Sequence, residues 1–180
     1  TDYPAITLKM LELAHCKGAE IFWNIGVESF EENEQHVKVI GNNNQHFFAD
    51  VLVNCAGIYA DALIQKSGHE IDFRLLPFRG DYFRLSAKYD KIVNRLIYPV
   101  PDPRFPFLGV HLTRTIHGDI EVGPNAVLAF AKEGYSKKDI SFNHLAKLLS
   151  FRGFWHMSKK YWGYGLYEMY RSFSKKAFLK

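Results

Sequence analysis

The feature that most constrains this fold is a run of apolar residues that ends abruptly on small ones. Residues 51–63 read VLVNCAGIYADAL. The Val-Leu-Val run is typical of a buried strand, because such strands carry apolar side chains on both faces. It stops at Asn-Cys-Ala-Gly, and a segment with helical spacing follows. Small residues after a buried strand let a backbone approach a ligand closely, so this turn predicts a nucleotide site.

The first part of the chain alternates between helical and strand patterns. Residues 4–17 place apolar side chains at helical spacing, with Asp2 as a cap and Gly18 as a stop. Short alternating strands then form a meander with the turn Asn-Asn-Asn. The predicted strands are residues 19–23, 27–32, 36–40, 46–49 and 50–55, and a second helix is predicted over residues 60–67.

The second half of the chain is richer in proline and in strand patterns. Four prolines between residues 99 and 106 predict a stiff loop with few ladder hydrogen bonds. Residues 141–150 and 154–178 predict helices, although Gly163 and Gly165 disfavour the second one. The predicted strands are residues 73–76, 80–85, 96–100, 108–115 and 119–123.

Charge and cysteine usage exclude some classes of function. A net charge of +4 over 180 residues does not indicate a general nucleic-acid binder. The segment from Arg152 onward carries +6, which leaves −2 for the rest. This basic, aromatic tail predicts a packed helical cap first, a membrane-surface helix second and an RNA-stacking surface third. Cys16 and Cys55 match no metal spacing and indicate a reducing compartment, and no apolar run is long enough to span a membrane.

A nicotinamide enzyme is the first hypothesis for the Asn-Cys-Ala-Gly turn. Short-chain dehydrogenases have a similar turn, but they also need a Tyr with a Lys four residues later, because the Lys lowers the pKa of the phenol. None of the ten tyrosines has a Lys at that spacing. Glu168 also stands where the only Gly-x-Gly of the chain would need its third glycine. The nicotinamide hypothesis is therefore dropped.

The order of elements and several unusual stretches carry a different resemblance. A helix, Gly-Ala-Glu-Ile, a small meander and a strand ending in Ala-Gly resemble the FAD-dependent oxidoreductases of the D-amino-acid oxidase superfamily. Over essentially its whole length the chain is similar to the L-2-hydroxyglutarate dehydrogenase (oxidase) family. The stretches that carry this similarity are LLPFRGDYFRL (75–85), LIYPVPDPRFPFLGVHLTR (96–114), EVGPNAVLAFAKEGY (121–135) and RGFWHMSKKYWGYGLYEMYRSFSKKAF (152–178).

This resemblance implies a flavoprotein that oxidises L-2-hydroxyglutarate to 2-oxoglutarate, with hydride passing to FAD and electrons then passing to a quinone or another acceptor. It implies a mixed α/β fold in three parts. These are part of an FAD-binding domain with a small meander (residues 1–72), an antiparallel-sheet substrate domain (73–140) and a helical, basic-aromatic segment (141–180). The family's Gly-rich phosphate loop would precede residue 1 and its closing part would follow residue 180, so a central fragment is expected.

Other interpretations of the chain stay open beside this one. The chain could be a non-catalytic remnant, a subunit that pairs with a separate N-terminal chain, or part of a related flavin oxidase of another 2-hydroxy or 2-amino acid. The expected location is the cytoplasm. A peripheral contact with the inner membrane is also expected, because a quinone-linked dehydrogenase would meet its acceptor there.

Four residues are expected to meet FAD on the strength of the resemblance. Val27 corresponds to a residue whose backbone meets the adenine. Cys55, Ala56 and Gly57 match the turn at the flavin side of the dinucleotide, where small side chains let the backbone come close. The strand context of Cys55 predicts a small packing residue rather than a nucleophile. No metal site is expected.

The remaining candidates concern the substrate. Hydride transfer requires a base for the 2-hydroxyl proton, and an imidazole titrates near neutrality. Among eight histidines only His111 lies inside a strongly matching strand motif, on one face with Gly109 and Thr113, and the alternative is an ordinary sheet histidine. A dicarboxylate also needs Arg forks or hydrogen-bond donors. The expected substrate-binding residues are Arg79, Tyr82, Tyr98, Arg104, Arg114 and Asn125. The alternative role is a surface ion pair for each arginine, core packing for the two tyrosines and the shaping of a turn for the asparagine.

Overall fold

A computed structural model describes residues 1–89, 91–101 and 109–179 of the chain. The chain divides into two compact units, Asp2–Leu75 and the part from Leu76 onward. Each unit contains a three-stranded antiparallel sheet and helices. The mixed α/β class is therefore confirmed, whereas the division into three parts stays a prediction. Arg104 lies outside the described residues.

The first unit contains a meander and two helices. The Asp2 side chain caps the first helix, as predicted, and accepts a hydrogen bond from Ala5 N at 3.0 Å. The three strands pair in the order β1-β2-β3, each antiparallel to the next. The elements are α1 (Tyr3–Cys16), β1 (Val27–Glu32), β2 (Val37–Gly41), β3 (His46–Ala49), a 3₁₀ turn (Gly57–Tyr59) and α2 (Ala60–Lys66).

Three predicted strands of this region are wrong. Residues 19–23, 50–55 and 73–76 form no strand. Val51 and Val53 are 73% and 75% exposed, although their apolar run predicts burial. No hydrogen bond joins residues 51–53 to any other residue that the structure describes. A strand requires a neighbour for its ladder, and the apolar pattern by itself does not supply one.

Helix α2 is fixed against the meander by a polar and an aromatic contact. Phe30 N donates to Ser67 Oγ at 2.8 Å, and the same hydroxyl donates to Leu63 O at 3.0 Å. The Phe30 ring also stacks on His69 with ring centroids 5.3 Å apart. Leu63 and Val37 are buried. These contacts fix the position of α2, so the turn that precedes α2 is anchored at its C-terminal end.

The second unit is built around a central strand, β6. The sheet order is β4-β6-β5, with antiparallel pairing throughout. The predicted strand 96–100 is reduced to one bridge between Ile97 and Leu112. The predicted strand 108–115 begins outside the described residues, and the part that is described contains a shorter strand. The strands are β4 (Phe78–Arg84), β5 (His111–Arg114) and β6 (Ile120–Leu128).

Three helices complete the second unit, and they confirm the predicted helical end of the chain. They are α3 (Phe142–Leu149), α4 (Arg152–Phe173) and α5 (Lys175–Phe178). Ser174 separates the last two, because its side chain accepts a hydrogen bond from Ala177 N and begins a new helix. Phe83 of β4 packs against Phe178 of α5 with ring centroids 4.4 Å apart. No described helix is both long and apolar enough to cross a membrane.

Candidate functional site

A cavity of about 470 Å³ lies in the first unit, beside the turn that ends the apolar run. Val27, Cys55 and Ala56, three of the four residues expected at FAD, contribute to its lining. Gly57 is not among the lining residues. Lys66 adds a positive charge at the same cavity, and the other contributors are mostly apolar. A cavity of this size with few polar groups is typical of small-molecule sites.

The turn keeps its shape through a side chain that sequence reasoning did not select. Asn54 Oδ1 accepts a hydrogen bond from Ala56 N at 3.2 Å, and Asn54 Nδ2 donates to Ala60 O at 3.0 Å. Gly57 has a φ of +54°, a conformation that residues with a Cβ rarely adopt. The small residues of the motif are therefore explained by a tight turn against the cavity.

A buried carboxylate fixes the helix that follows this turn. Asp61 is 2% exposed. Its Oδ1 accepts a hydrogen bond from Ala62 N at 2.7 Å, and its Oδ2 accepts one from Leu75 N at 3.1 Å. The carboxylate therefore links the start of α2 to the end of the first unit. No motif in the sequence indicates this role for Asp61, apart from its position in the first turn of a predicted helix.

The second unit brings three of the predicted substrate-side residues together. The imidazole of His111 lies on the Tyr98 ring, with centroids 4.5 Å apart and planes tilted by 31°. Tyr82 approaches the same imidazole edge-on, with centroids 6.2 Å apart. His111 Nδ1 is buried and has no hydrogen-bond partner among the described residues. We call this group the His111 cluster.

Tyr82 lies closely over glycine backbone. A Cβ added to Gly123, which pairs with His111 in the sheet, would lie 2.7 Å from Tyr82 Cδ1. A Cβ added to Gly80 would lie 2.8 Å from Pro124 Cβ. These glycines are required because the ring and the proline occupy the space of a side chain. Burial raises the pKa of the Tyr82 phenol, and the charge of Glu121 and the nearby Tyr98 add to this effect.

Arg79 lies on the opposite face of the sheet from the His111 cluster. It alternates with Tyr82 along β4, and side chains of a strand alternate between faces. Its Nε donates to Asp81 Oδ1 at 2.7 Å and its Nη1 to Ser136 O at 2.9 Å. The guanidinium thus forms a largely buried ion pair within the second unit. Its proposed contact with substrate stays a prediction.

Asn125 and Arg114 also lie away from the His111 cluster. Asn125 is fully buried, and its Nδ2 donates to Glu168 O of α4 at 2.7 Å. Arg114 is offset by three positions from His111 on β5, which places it on the other face. Its Nη1 donates to Asn94 Oδ1 at 3.3 Å. Strand alternation thus places both side chains away from the face of His111, and their proposed contacts with substrate stay predictions.

The Asp81 carboxylate joins β4 to α4. Ser172 of α4 donates to Asp81 Oδ2, and Lys137 donates to Ser172 O. Burial raises the pKa of Asp81, but hydrogen bonds from Arg79 and Ser172 and the charges of Arg79 and Lys137 outweigh it. The pKa is therefore held below its ordinary value of 3.8.

The lowered pKa of Asp81 predicts an acid-dependent stability. A depressed folded-state pKa contributes stability that is complete above the unfolded-state pKa of about 4 and is lost as the pH falls through the folded-state pKa. We expect Asp81→Asn to lower the free energy of unfolding by about 1–2 kcal/mol at pH 7 and to reduce its decline below about pH 4. Urea unfolding at several pH values measures both. If the free energy of unfolding of Asp81→Asn falls below pH 4 as steeply as that of the unchanged protein, the prediction is wrong.

The family follows from a comparison with known sequences. The profile of the family described as FAD dependent oxidoreductase matches residues 1–153. The chain belongs to this family. The match includes the cavity of the first unit, both sheets and the His111 cluster. The resemblance that the sequence motifs carry is thereby confirmed at the level of the family.

Individual curated relatives extend this result. L-2-hydroxyglutarate dehydrogenase of Indibacter alkaliphilus is 43% identical over 178 residues, which is 98% of this chain and 44% of that protein. The Escherichia coli K12 protein of the same name is 42% identical, over 99% of this chain and 42% of its own length. The human mitochondrial relative is 36% identical, over 95% and 39%. The chain spans less than half the length of these curated relatives.

The cavity of this family member fits one part of an FAD molecule. Its lining is mainly apolar around Val27 and Leu63, which suits a flat aromatic ring. Cys55 contributes to the lining, and its backbone N–H has no hydrogen-bond partner among the described residues, so it is a donor that a ligand could use. Lys66 supplies a positive charge suited to a phosphate. The residues present therefore agree with the FAD dependence of the family.

Proposed function

We propose that this chain is part of an enzyme that oxidises L-2-hydroxyglutarate to 2-oxoglutarate with FAD. The observation that carries the proposal is the 43% identity over 178 residues with a protein of that activity by name. A related flavin oxidase of another 2-hydroxy or 2-amino acid is the nearest alternative. The two differ in what reduces the flavin of the full-length protein: L-2-hydroxyglutarate, or an amino acid such as L-glutamate.

In this proposal the first unit holds part of FAD. Val27, Cys55 and Ala56 would contact the cofactor through backbone and small side chains, and Gly57 would give the turn its sharp exit. Lys66 would face its phosphates. When bound, FAD supplies an acceptor for the hydride that leaves carbon 2 of the substrate.

His111 would take the proton of the substrate 2-hydroxyl. Because Nδ1 is buried, Nε2 is the atom that would accept it. The Tyr98 and Tyr82 rings fix the imidazole from two directions, so its orientation is set before substrate binds. Both phenols could also donate hydrogen bonds to a carboxylate. The base and its neighbours thus come from β5, from β4 and from the segment beside the Ile97 bridge.

Binding of FAD should be visible at a single cysteine. Cys16 and Cys55 are both free and exposed, and only Cys55 belongs to the cavity lining. At an FAD concentration ten times the Kd, we expect the reaction of Cys55 with a maleimide to slow about tenfold. Cys16 is the internal control and should keep its rate. Peptide mass spectrometry distinguishes the two sites. Equal labelling of Cys55 with and without FAD would show that FAD does not bind in this cavity.

The chain could also act only together with another polypeptide. A separate N-terminal chain that supplies a Gly-rich phosphate loop would make it a split subunit, and a chain unable to acquire FAD in any setting would be a non-catalytic remnant. Co-expression with the N-terminal part of a relative distinguishes these possibilities. Yellow co-purified protein supports the split subunit, whereas colourless protein supports the remnant.

We also propose a peripheral contact with the inner membrane, from the cytoplasmic side, and a quinone as electron acceptor. Helix α4 exposes an aromatic stripe, in which Trp155, Trp162 and Phe173 are 55%, 67% and 71% exposed. Lys159 lies between the two tryptophans on the same helical face. Tryptophan and lysine on one face are typical of helices at a membrane surface. Sedimentation with anionic lipid vesicles tests this contact, and protein that stays in the supernatant would contradict it.

A further inference from the structure

The amide of Asn54 joins the two ends of the turn that borders the cavity. Oδ1 accepts from Ala56 N at 3.2 Å, and Nδ2 donates to Ala60 O at 3.0 Å. Within the turn, Tyr59 N donates to Ala56 O at 3.0 Å. Asn54 is half-buried and lines the cavity itself. The acceptor and the donor of one side-chain amide are thereby both used within residues 54–60.

These two hydrogen bonds determine what the turn presents to the cavity. Ala56 N points to Asn54 and is not available to a ligand, whereas Cys55 N has no partner among the described residues. The first residue of α2 is held by the other half of the same amide. Without Asn54, the left-handed Gly57 would be the most mobile point of the turn, because glycine has the widest choice of backbone conformations.

We propose that Asn54 is a positioning residue, which holds the 55–57 backbone in the one conformation that can receive FAD. This inference rests on the proposed binding of FAD in the same cavity. Asn54 would act through the turn and would take no part in the reaction at the flavin. Its amide holds the backbone conformation of the turn, and that conformation places the Cys55 N–H for FAD. A preformed turn reduces the ordering cost of binding, so its loss should weaken affinity.

The Asn54→Ala variant tests the proposal through two measurements. Hydrogen exchange of the chain without FAD should become faster across residues 55–60, because Ala56 N loses its acceptor and the turn opens. Titration with FAD, followed by flavin fluorescence, should give a Kd raised roughly tenfold. The Asn54→Ser variant is the conservative comparison. A serine hydroxyl can accept from the N–H two residues on but cannot replace the donor to Ala60, so we expect a Kd raised only about threefold.

Asn33 provides a matched control in the same unit. Its Oδ1 accepts from Gln35 N at 2.8 Å and from His36 N at 3.0 Å in the turn between β1 and β2. Asn33 does not line the cavity. Asn33→Ala should therefore speed hydrogen exchange in its own turn and leave the Kd for FAD unchanged. Equal losses of FAD affinity in both variants would show a general effect on folding and would overturn the specific role of Asn54.

The outcomes separate this inference from the function on which it rests. If the unchanged chain fails to bind FAD, also when co-expressed with an N-terminal part, the proposed cofactor site is wrong. If it binds FAD and Asn54→Ala binds equally well, the cofactor site stands and the positioning role is wrong. A raised Kd in Asn54→Ala, partial recovery in Asn54→Ser and no change in Asn33→Ala would together support the role.

Discussion

Replacing His111 with alanine in the full-length protein is expected to slow flavin reduction by L-2-hydroxyglutarate about a hundredfold or more. Loss of a general base typically costs a factor of 10²–10⁴. His111 is not among the residues that line the cavity proposed for FAD, so FAD affinity should be unchanged. Stopped-flow absorbance of the flavin measures the rate, and a separate FAD titration measures the affinity.

His117 is the control for this experiment. It is exposed, at the turn between β5 and β6, and its side chain contributes to no cluster around Tyr82 or Tyr98. His117→Ala removes an imidazole from the same hairpin and should leave the reduction rate within about twofold of the unchanged protein. If His111→Ala also retains nearly full rate, His111 is a structural residue of the sheet and another group takes the proton.

The largest effect on stability is expected from Arg171→Met. Arg171 Nη1 lies 3.1 Å from Glu168 Oε1, and the two side chains are only 16% and 4% exposed. Removal of one partner leaves the Glu168 carboxylate buried without its counter-charge, which typically costs about 3–5 kcal/mol. The aromatic ring of Phe178 would also lose the guanidinium 5.1 Å from its centre. Urea unfolding followed by tryptophan fluorescence measures the change in free energy.

Arg84→Met makes the same chemical change at an exposed ion pair. Arg84 approaches Asp119 at 3.3 Å and Glu121 at 3.7 Å, and its side chain is 62% exposed. Exposed ion pairs contribute about 0–1 kcal/mol, so this variant should be nearly neutral. A small effect of Arg171→Met, comparable with that of Arg84→Met, would mean that Glu168 is neutralised or solvated when its partner is removed.

Sequence patterns predicted best where the relevant contacts are local. The helices at both ends of the chain, the meander and the turn at Cys55 and Ala56 depend on neighbours a few residues apart. The run at 51–53 was predicted as a buried strand from hydropathy alone, and the structure gives it no ladder. Hydropathy reports what a segment could bury, whereas a strand also requires a second segment in register.

The substrate side was harder to predict because it depends on contacts between distant residues. Asp81 bonds to Ser172 across 91 positions, and Asn125 bonds to the backbone of Glu168 across 43. Neither pairing has a signature in one sequence. These contacts decide which face of β4 and β6 is covered by α4, and thus why Asn125 lies opposite the His111 cluster. The cluster itself depends on three pairings, namely β5 with β6, β4 with β6, and the bridge between Ile97 and Leu112.

The uncovered Val51–Val53 run has a consequence for handling the protein. It combines branched apolar side chains with free backbone donors and acceptors, and such segments recruit strands from other molecules. At high concentration the chain should therefore self-associate into cross-β aggregates that begin at this exposed run. A charged residue at Val51, which is 73% exposed and does not line the cavity beside the Cys55 turn, would act as a gatekeeper and raise solubility.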